Sequence, residues 1–152
     1  MFNVLIKEAT DSNLDKIMAL SKAVTEEHVL PLFSAEGREF YYSTHVKEDS
    51  TICDKSKYLT YFALVENELA GCIAIRQDHY IAHLYVKTEL QGKGIGRMLL
   101  DIVSNDATRP YLKVSSSINA VGFYSKYGFE AQGPEHIFHG IRTVPMELKL
   151  TT

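Results

Sequence analysis

Leu84-Tyr85-Val86-Lys87-Thr88-Glu89-Leu90-Gln91-Gly92-Lys93-Gly94-Ile95-Gly96-Arg97 runs from a β-rich segment through a glycine-rich turn into the start of a helix. A helix opens with unpaired backbone N–H groups and the positive end of its dipole. Glycines at alternate positions let phosphate oxygens approach that main chain, so the stretch reads as a phosphate socket. Beyond it Ile95, Met98, Leu99, Ile102 and Val103 fall at i, i+3, i+4, i+7 and i+8, the stripe of a helix lying on a sheet.

Spacing removes the common nucleotide ligands. The dinucleotide fingerprint needs its third glycine where Arg97 stands, and it follows the first strand of its unit. The nucleotide P-loop needs Gly-Lys followed by Ser or Thr, whereas Lys93 is followed by Gly94. Neither NAD nor a nucleoside triphosphate fits.

Outward from this stretch, Phe2 to Glu8 reads as a first strand, and Leu14, Ile17, Met18, Ser21 and Val24 recur at helical spacing behind cap candidates Thr10 and Ser12. Pro31 ends that helix, Ser34 opens a second one to about His45, and the polar run Lys47 to Lys57 reads as a surface loop. Tyr58 to Val65 and Leu69 to Arg76 form a hairpin, and Tyr80 to Val86 is the next strand. After Pro110, Tyr111 to Val114 returns as a strand, and Asn119 to Tyr127 reads as a short helix closed by Gly128. Glu130 to Phe138 and Thr143 to Leu150 complete the order βααβββαβαββ. That order predicts an α/β (α+β) chain, a mixed sheet with helices on both faces, as one domain over residues 1–152.

The 152 residues, 45% apolar and 23% charged, suit one soluble globular domain. No apolar run approaches the roughly 18 residues of a membrane span, and Lys7, Glu8 and Asp11 near the start do not resemble a secretory signal. The expectation is a cytoplasmic protein with no membrane partner. A net charge of -3 leaves no basic footprint for nucleic acid. Cys53 and Cys72 match neither metal-ligand spacing nor a disulfide framework, and Cys72 reads as a small buried hydrophobe.

Gln91-Gly92-Lys93-Gly94-Ile95-Gly96 matches the Q/R-x-x-G-x-G/A signature of the GNAT N-acetyltransferase superfamily. Asn119 to Phe129 resembles that superfamily's second motif, N-x-x-A-x-x-F-Y-x-x-x-G-F, with the alanine displaced to Ala120 and Gly122 at its usual site. The resemblance is specific from about Leu84 to Phe129. It implies a GNAT fold, a mostly antiparallel central sheet of about seven strands flanked by about four helices. It also implies transfer of an acetyl group from acetyl-CoA, with no metal, to a primary amine that attacks directly in a ternary complex. The acceptor is then a small-molecule amine or a protein or peptide amine, and a homodimer is a tendency of the family. The alternatives are a coenzyme-binding module without turnover and a transferase for another acyl group or a non-amine acceptor.

By the same resemblance, the backbone of Leu84, Tyr85 and Val86 would hold the pantetheine arm and polarise the thioester carbonyl. The amides of Gln91, Gly92, Lys93, Gly94, Ile95, Gly96 and Arg97 would hold the pyrophosphate, with the Lys93 and Arg97 side chains adding charge. Asn119 would contact the pantetheine arm, and Tyr124 would act as general acid toward the departing thiolate, a phenol of ordinary pKa near 10 being comparable to an alkyl thiol. An alkylammonium with pKa near 10.4 is only about one part in a few thousand free amine at pH 7, so a base is required. Many relatives place Glu or His where this chain has Tyr80, which leaves Tyr80 and His83 as base candidates beside His79, Glu26, Glu27 and His28. Alternation on a strand puts His79 and His83 on the face opposite Tyr80 unless a bulge intervenes, about 13 Å apart if the strand is flat. His136, His139 and Arg142 stand near the last hairpin, which often borders the acceptor site.

Overall fold

Alternation along one central strand sorts the whole chain into two cores. The computed structural model describes residues 3–105 and 109–150, residues 45–48 by their backbone alone. The elements are β1 (Val4–Glu8), α1 (Leu14–Val24), α2 (Ala35–Asp49), β2 (Tyr58–Val65), β3 (Glu68–Arg76), β4 (Ile81–Val86), α3 (Ile95–Ser104), β5 (Tyr111–Ser117), α4 (Val121–Tyr127), β6 (Glu130–Ala131), β7 (His136–Phe138) and β8 (Ile141–Lys149). Phe2, the expected start of the first strand, lies outside the described residues.

On β3, Ile73 and Ile75 face Ile95, Leu99, Leu100 and Val103 of α3. Cys72 and Ala74 point the other way, toward Ile17, Leu20 and Val24 of α1. The strand period of two thus puts a helix on each face. Each of the four large α3 side chains stabilises the fold by about 1.5–3 kcal/mol through burial. The buried stripe is turned slightly from the expected one, because Met98 and Ile102 are about two-fifths exposed while Gly96 and Leu100 are buried. Gly96 faces Phe123 of α4, whose ring would lie 3.0 Å from an added Cβ.

Strands β1 to β4 form an antiparallel sheet in that order, and β5, β8 and β6 form a second, with β7 also on β8. Among the described residues the halves are joined by one isolated parallel bridge, Tyr80 to Lys113. The chain is therefore a mostly antiparallel α+β fold, and the eight strands among its described residues part between β4 and β5. The β2–β3 turn is tighter than expected, with Glu66 and Asn67 at positive φ and Val65 opposite Glu68.

Three expected boundaries move for physical reasons. Helix α2 continues to Asp49, and the segment after it is not a solvated loop, since Ile52 and Cys53 are buried under α1. The strand expected over Glu130 to Phe138 is split into β6 and β7 around Gly133-Pro134, where proline offers no N–H to a ladder. Asn119 does not cap α4 but sits inside a 3-10 turn, Ile118–Ala120, with Ala120 preceding the helix. No helix among the described residues is long and apolar enough to cross a membrane.

Candidate active site

The parting of β4 from β5 opens a cleft through the sheet, and two cavities occupy it. One, about 220 Å³, runs along Leu84, Tyr85 and Val86 to Gln91, Ile95 and Gly96, with Asn119, Phe123 and Tyr124 on its far wall. The other, about 290 Å³, lies on the opposite side among Tyr41, Asp49, Tyr80, His83, Ser116 and Thr143. Leu84, Tyr85, Ser117, Ala120 and Tyr124 line both. A ligand in one cavity therefore meets a ligand in the other beside Tyr124.

The first cavity ends at the glycine turn. Gly92 and Gly94 have φ of +78° and +89°, backbone that disfavours other residues, and Gly94 immediately precedes α3. Nothing of the protein lies within 4 Å of where a Cβ would stand on either, so this side of the loop is open to a ligand. The Gln91 side chain donates from Nε2 to the Val86 carbonyl at 2.9 Å, which ties the turn back to its strand. Lys93 and Arg97 are exposed, and neither is engaged in an ion pair among the described residues. The edge of β4 that faces β5 has no strand partner over residues 82–86 among the described residues. The Gln91 N–H donates to the Thr88 carbonyl at 3.3 Å, so the amides that follow it in the turn, with two unengaged cations and the β4 edge, suit a ligand with a pyrophosphate and an amide-bearing arm.

Tyr124 is 5% exposed and packed edge-on between Phe123 and Phe129, and among the described residues its hydroxyl has no hydrogen-bond partner. Burial, then the neighbouring Tyr85 and Tyr80, raise its phenol above the ordinary value. Burial likewise raises Tyr41 and Tyr85, and it pushes the Cys72 thiol up to about 12. Each of these groups ionises at higher pH in the folded chain than in the unfolded one. Their stabilising contribution is fully present below the unfolded values, about 8.5 for thiol and about 10 for phenol, and is lost as pH rises past them. The urea midpoint of unfolding is accordingly expected to fall as pH is raised from about 8 to about 11, and a midpoint independent of pH over that range would contradict the burial of these groups.

The second cavity holds a half-buried histidine–carboxylate contact that spacing along the chain did not reveal. The register of β3 on β4 passes from Ala74 opposite His83 to Ile75 opposite Ile81, leaving Ala82 as a bulge. Ile81 thus joins the α3 core while His83 turns to the other face, beside Tyr85 at 5.3 Å. The bulge is the exception that breaks the alternation placing His79 and His83 together opposite Tyr80. His83 and Tyr80 line the same cavity, whereas His79 lies at a turn with φ of 65°, accepts from Arg109 through Nδ1 at 3.2 Å and meets the Tyr111 ring edge-on. His83 Nε2 stands 3.0 Å from Asp49 Oδ1, with the two side chains 10% and 17% exposed. Its Nδ1 is buried without a hydrogen-bond partner among the described residues. Tyr80 lies with the Arg76 guanidinium 4.2 Å above its ring.

The other base candidates are engaged with other partners, His28 while lining the first cavity. Thr88 donates to Glu27 at 2.8 Å and lies 3.1 Å from His28 Nε2, so both residues brace the approach to the glycine turn. Glu26 is held by Tyr42 and Lys22. Arg142 makes two bonds to Glu135, and His139 stacks on Phe40 and pairs with Glu36, docking the β7–β8 hairpin on α2. Neither they nor His136 line the two cavities, to which that hairpin instead contributes Ile141 and Thr143.

This architecture is that of solved N-acetyltransferases. A GCN5-related N-acetyltransferase of Rhodopseudomonas palustris is 21% identical with a TM-score of 0.82, the alignment covering 98% of each chain. PaiA N-acetyltransferase of Thermoplasma acidophilum, solved with coenzyme A, is 18% identical with a TM-score of 0.79, covering 97% of this chain and 99% of that one. An aminoglycoside 6′-N-acetyltransferase complexed with coenzyme A is 14% identical with a TM-score of 0.71, covering 97% and 98%. No curated protein matches the sequence significantly. Residues 21–150 match the family model of the acetyltransferase (GNAT) domain, and the chain belongs to the GNAT N-acetyltransferase family.

Proposed function

We propose that the protein, as one domain, transfers an acetyl group from acetyl-CoA to a primary amine by direct attack in a ternary complex. The observation that carries this reading is the meeting of two cavities at Tyr124, one leading to the glycine turn and one to His83. In this reading the amides of residues 91–97 hold the pyrophosphate, Lys93 and Arg97 add charge, and Asn119 and the β4 edge at Leu84, Tyr85 and Val86 hold the pantetheine arm. Fixed donors along that edge stabilise the charge that develops on the thioester oxygen. The acceptor lies in the cavity of Tyr41, Tyr80 and His83.

The amine lone pair forms the new C–N bond, and the C–S bond breaks. One N–H proton leaves to the base, and the sulfur takes a proton from Tyr124, which is replenished from solvent. His83 serves as the base better than Tyr80, because its imidazole is held against a carboxylate while the Tyr80 ring is covered by Arg76. The raised Tyr124 phenol stays protonated across the working range, and the same desolvation penalises the thiolate it protonates. The coenzyme reading is supported by the two relatives solved with coenzyme A.

The test is thiol release from acetyl-CoA in the presence of a polyamine, an aminoglycoside, free amino acids, a peptide N-terminus and a lysine peptide. Amine-dependent release, with a product heavier by one acetyl group, is expected for one of these classes. Tight coenzyme binding with no release for any of them would favour a module without turnover.

A further inference from the structure

We infer that Asp49, at the C-terminal end of α2, is the positioning residue for His83, fixing its tautomer and balancing the charge it gains when it takes the acceptor's proton. This deepens the N-acetyltransferase reading of the same cleft and rests on it. The two side chains come from distant elements, α2 and β4, and meet 3.0 Å apart with little solvent contact. With the Asp49 carboxylate accepting from Nε2–H, the neutral ring carries its lone pair on Nδ1. That nitrogen is the one left buried without a partner. A buried acceptor left unpaired is unfavourable, and an N–H from the amine, directly or through water, would satisfy it.

The surroundings make Asp49 the natural counter-charge. The titratable and charged groups packed around the pair are Tyr41 on α2, Cys72 and Arg76 on β3, Tyr58 on β2, Tyr80 and Tyr85 beside or on β4, and Tyr124 on α4. Burial raises Tyr41, Tyr85, Tyr124 and Cys72, and the Asp49 charge raises Tyr41, Tyr85 and Cys72 further, so all four stay neutral. Arg76 is drawn toward Asp78 at 3.2 Å. Among the described residues lining the cavity, Asp49 is thus the carboxylate available to offset an imidazolium. When the amine attacks, its N–H electrons stay on nitrogen as the C–N bond forms. The proton goes to Nδ1, and the positive charge spreads toward Asp49 through Nε2–H.

The pair also anchors α2 to the sheet, so the experiment separates anchoring from positioning. Asp49→Asn, Asp49→Ala and Asp49→Glu are compared with His83→Ala and the double variant, using n-butylamine as the probe acceptor. Each Asp49→Asn and Asp49→Ala enzyme is expected to lose at least about tenfold in kcat with KM for acetyl-CoA unchanged, and Asp49→Glu to recover part of it. Adding Asp49→Asn to His83→Ala should cost nothing more, as for groups acting as a unit. Independently of any acceptor, nitrogen-15 spectra of the His83 ring should show one Nε2–H tautomer in the native protein at alkaline pH and a mixture in Asp49→Ala. Undiminished kcat, additive losses in the double variant, or a single tautomer retained without Asp49 would overturn the assignment. If n-butylamine is not acetylated by the native enzyme, the ring spectra still decide the positioning role, while the amine panel decides the reaction.

Discussion

Gly94→Asp is expected to raise the dissociation constant for coenzyme A at least about a hundredfold, a loss of about 2.8 kcal/mol or more, while leaving the fold intact. The position has φ of +89°, and aspartate is among the few side chains that tolerate this backbone. Among the described residues no atom beyond the chain neighbours lies within 4 Å of the new Cβ, so the substitution is met by backbone strain rather than by a clash. It places a carboxylate where the unpaired amides ahead of α3 face the ligand, repelling pyrophosphate and occupying its space. Calorimetry with coenzyme A reads the affinity and a melting curve reads the fold. Retained tight binding would remove the glycine turn from the site. Gly96 would give a less clean result, because a side chain there meets the Phe123 ring and disturbs the packing of α3 on α4.

Tyr124→Phe is expected to lower kcat at least about tenfold with coenzyme binding nearly unchanged. The ring is clamped edge-on by Phe123 and Phe129, so phenylalanine keeps every packing contact and removes only the oxygen. That oxygen has no partner among the described residues, so its loss leaves no protein group unsatisfied. An effect confined to kcat would therefore report the proton delivered to the departing sulfur. Equal turnover in the variant would take Tyr124 out of the mechanism.

The donor side of the cleft could be read from local pattern, and the acceptor side could not. The turn from Leu84 to Arg97 announces itself because glycines at fixed offsets, a helix start and an apolar stripe are all encoded within one short stretch. Tyr124 was found for the same reason, being part of a second local motif. His83 was among the candidates, but its orientation depends on the Ala82 bulge, which is set by how β3 and β4 register and has no mark in the residues around it. Asp49 was missed altogether. It lies in a polar run that reads as a solvated loop, and only the continuation of α2 carries it to β4. The buried Ile52 and Cys53 were the overlooked signal that this segment turns inward. The split between β4 and β5 is equally invisible in the strand pattern, since the departure lies in what does not pair.

The most direct test of this account is a structure with acetyl-CoA bound. It should place the pyrophosphate within hydrogen-bond reach of the amides between residues 91 and 97, the pantetheine arm along the free edge of β4, and the thioester between Tyr124 and the cavity that holds His83. A pyrophosphate bound away from the glycine turn, or a thioester remote from Tyr124, would contradict it.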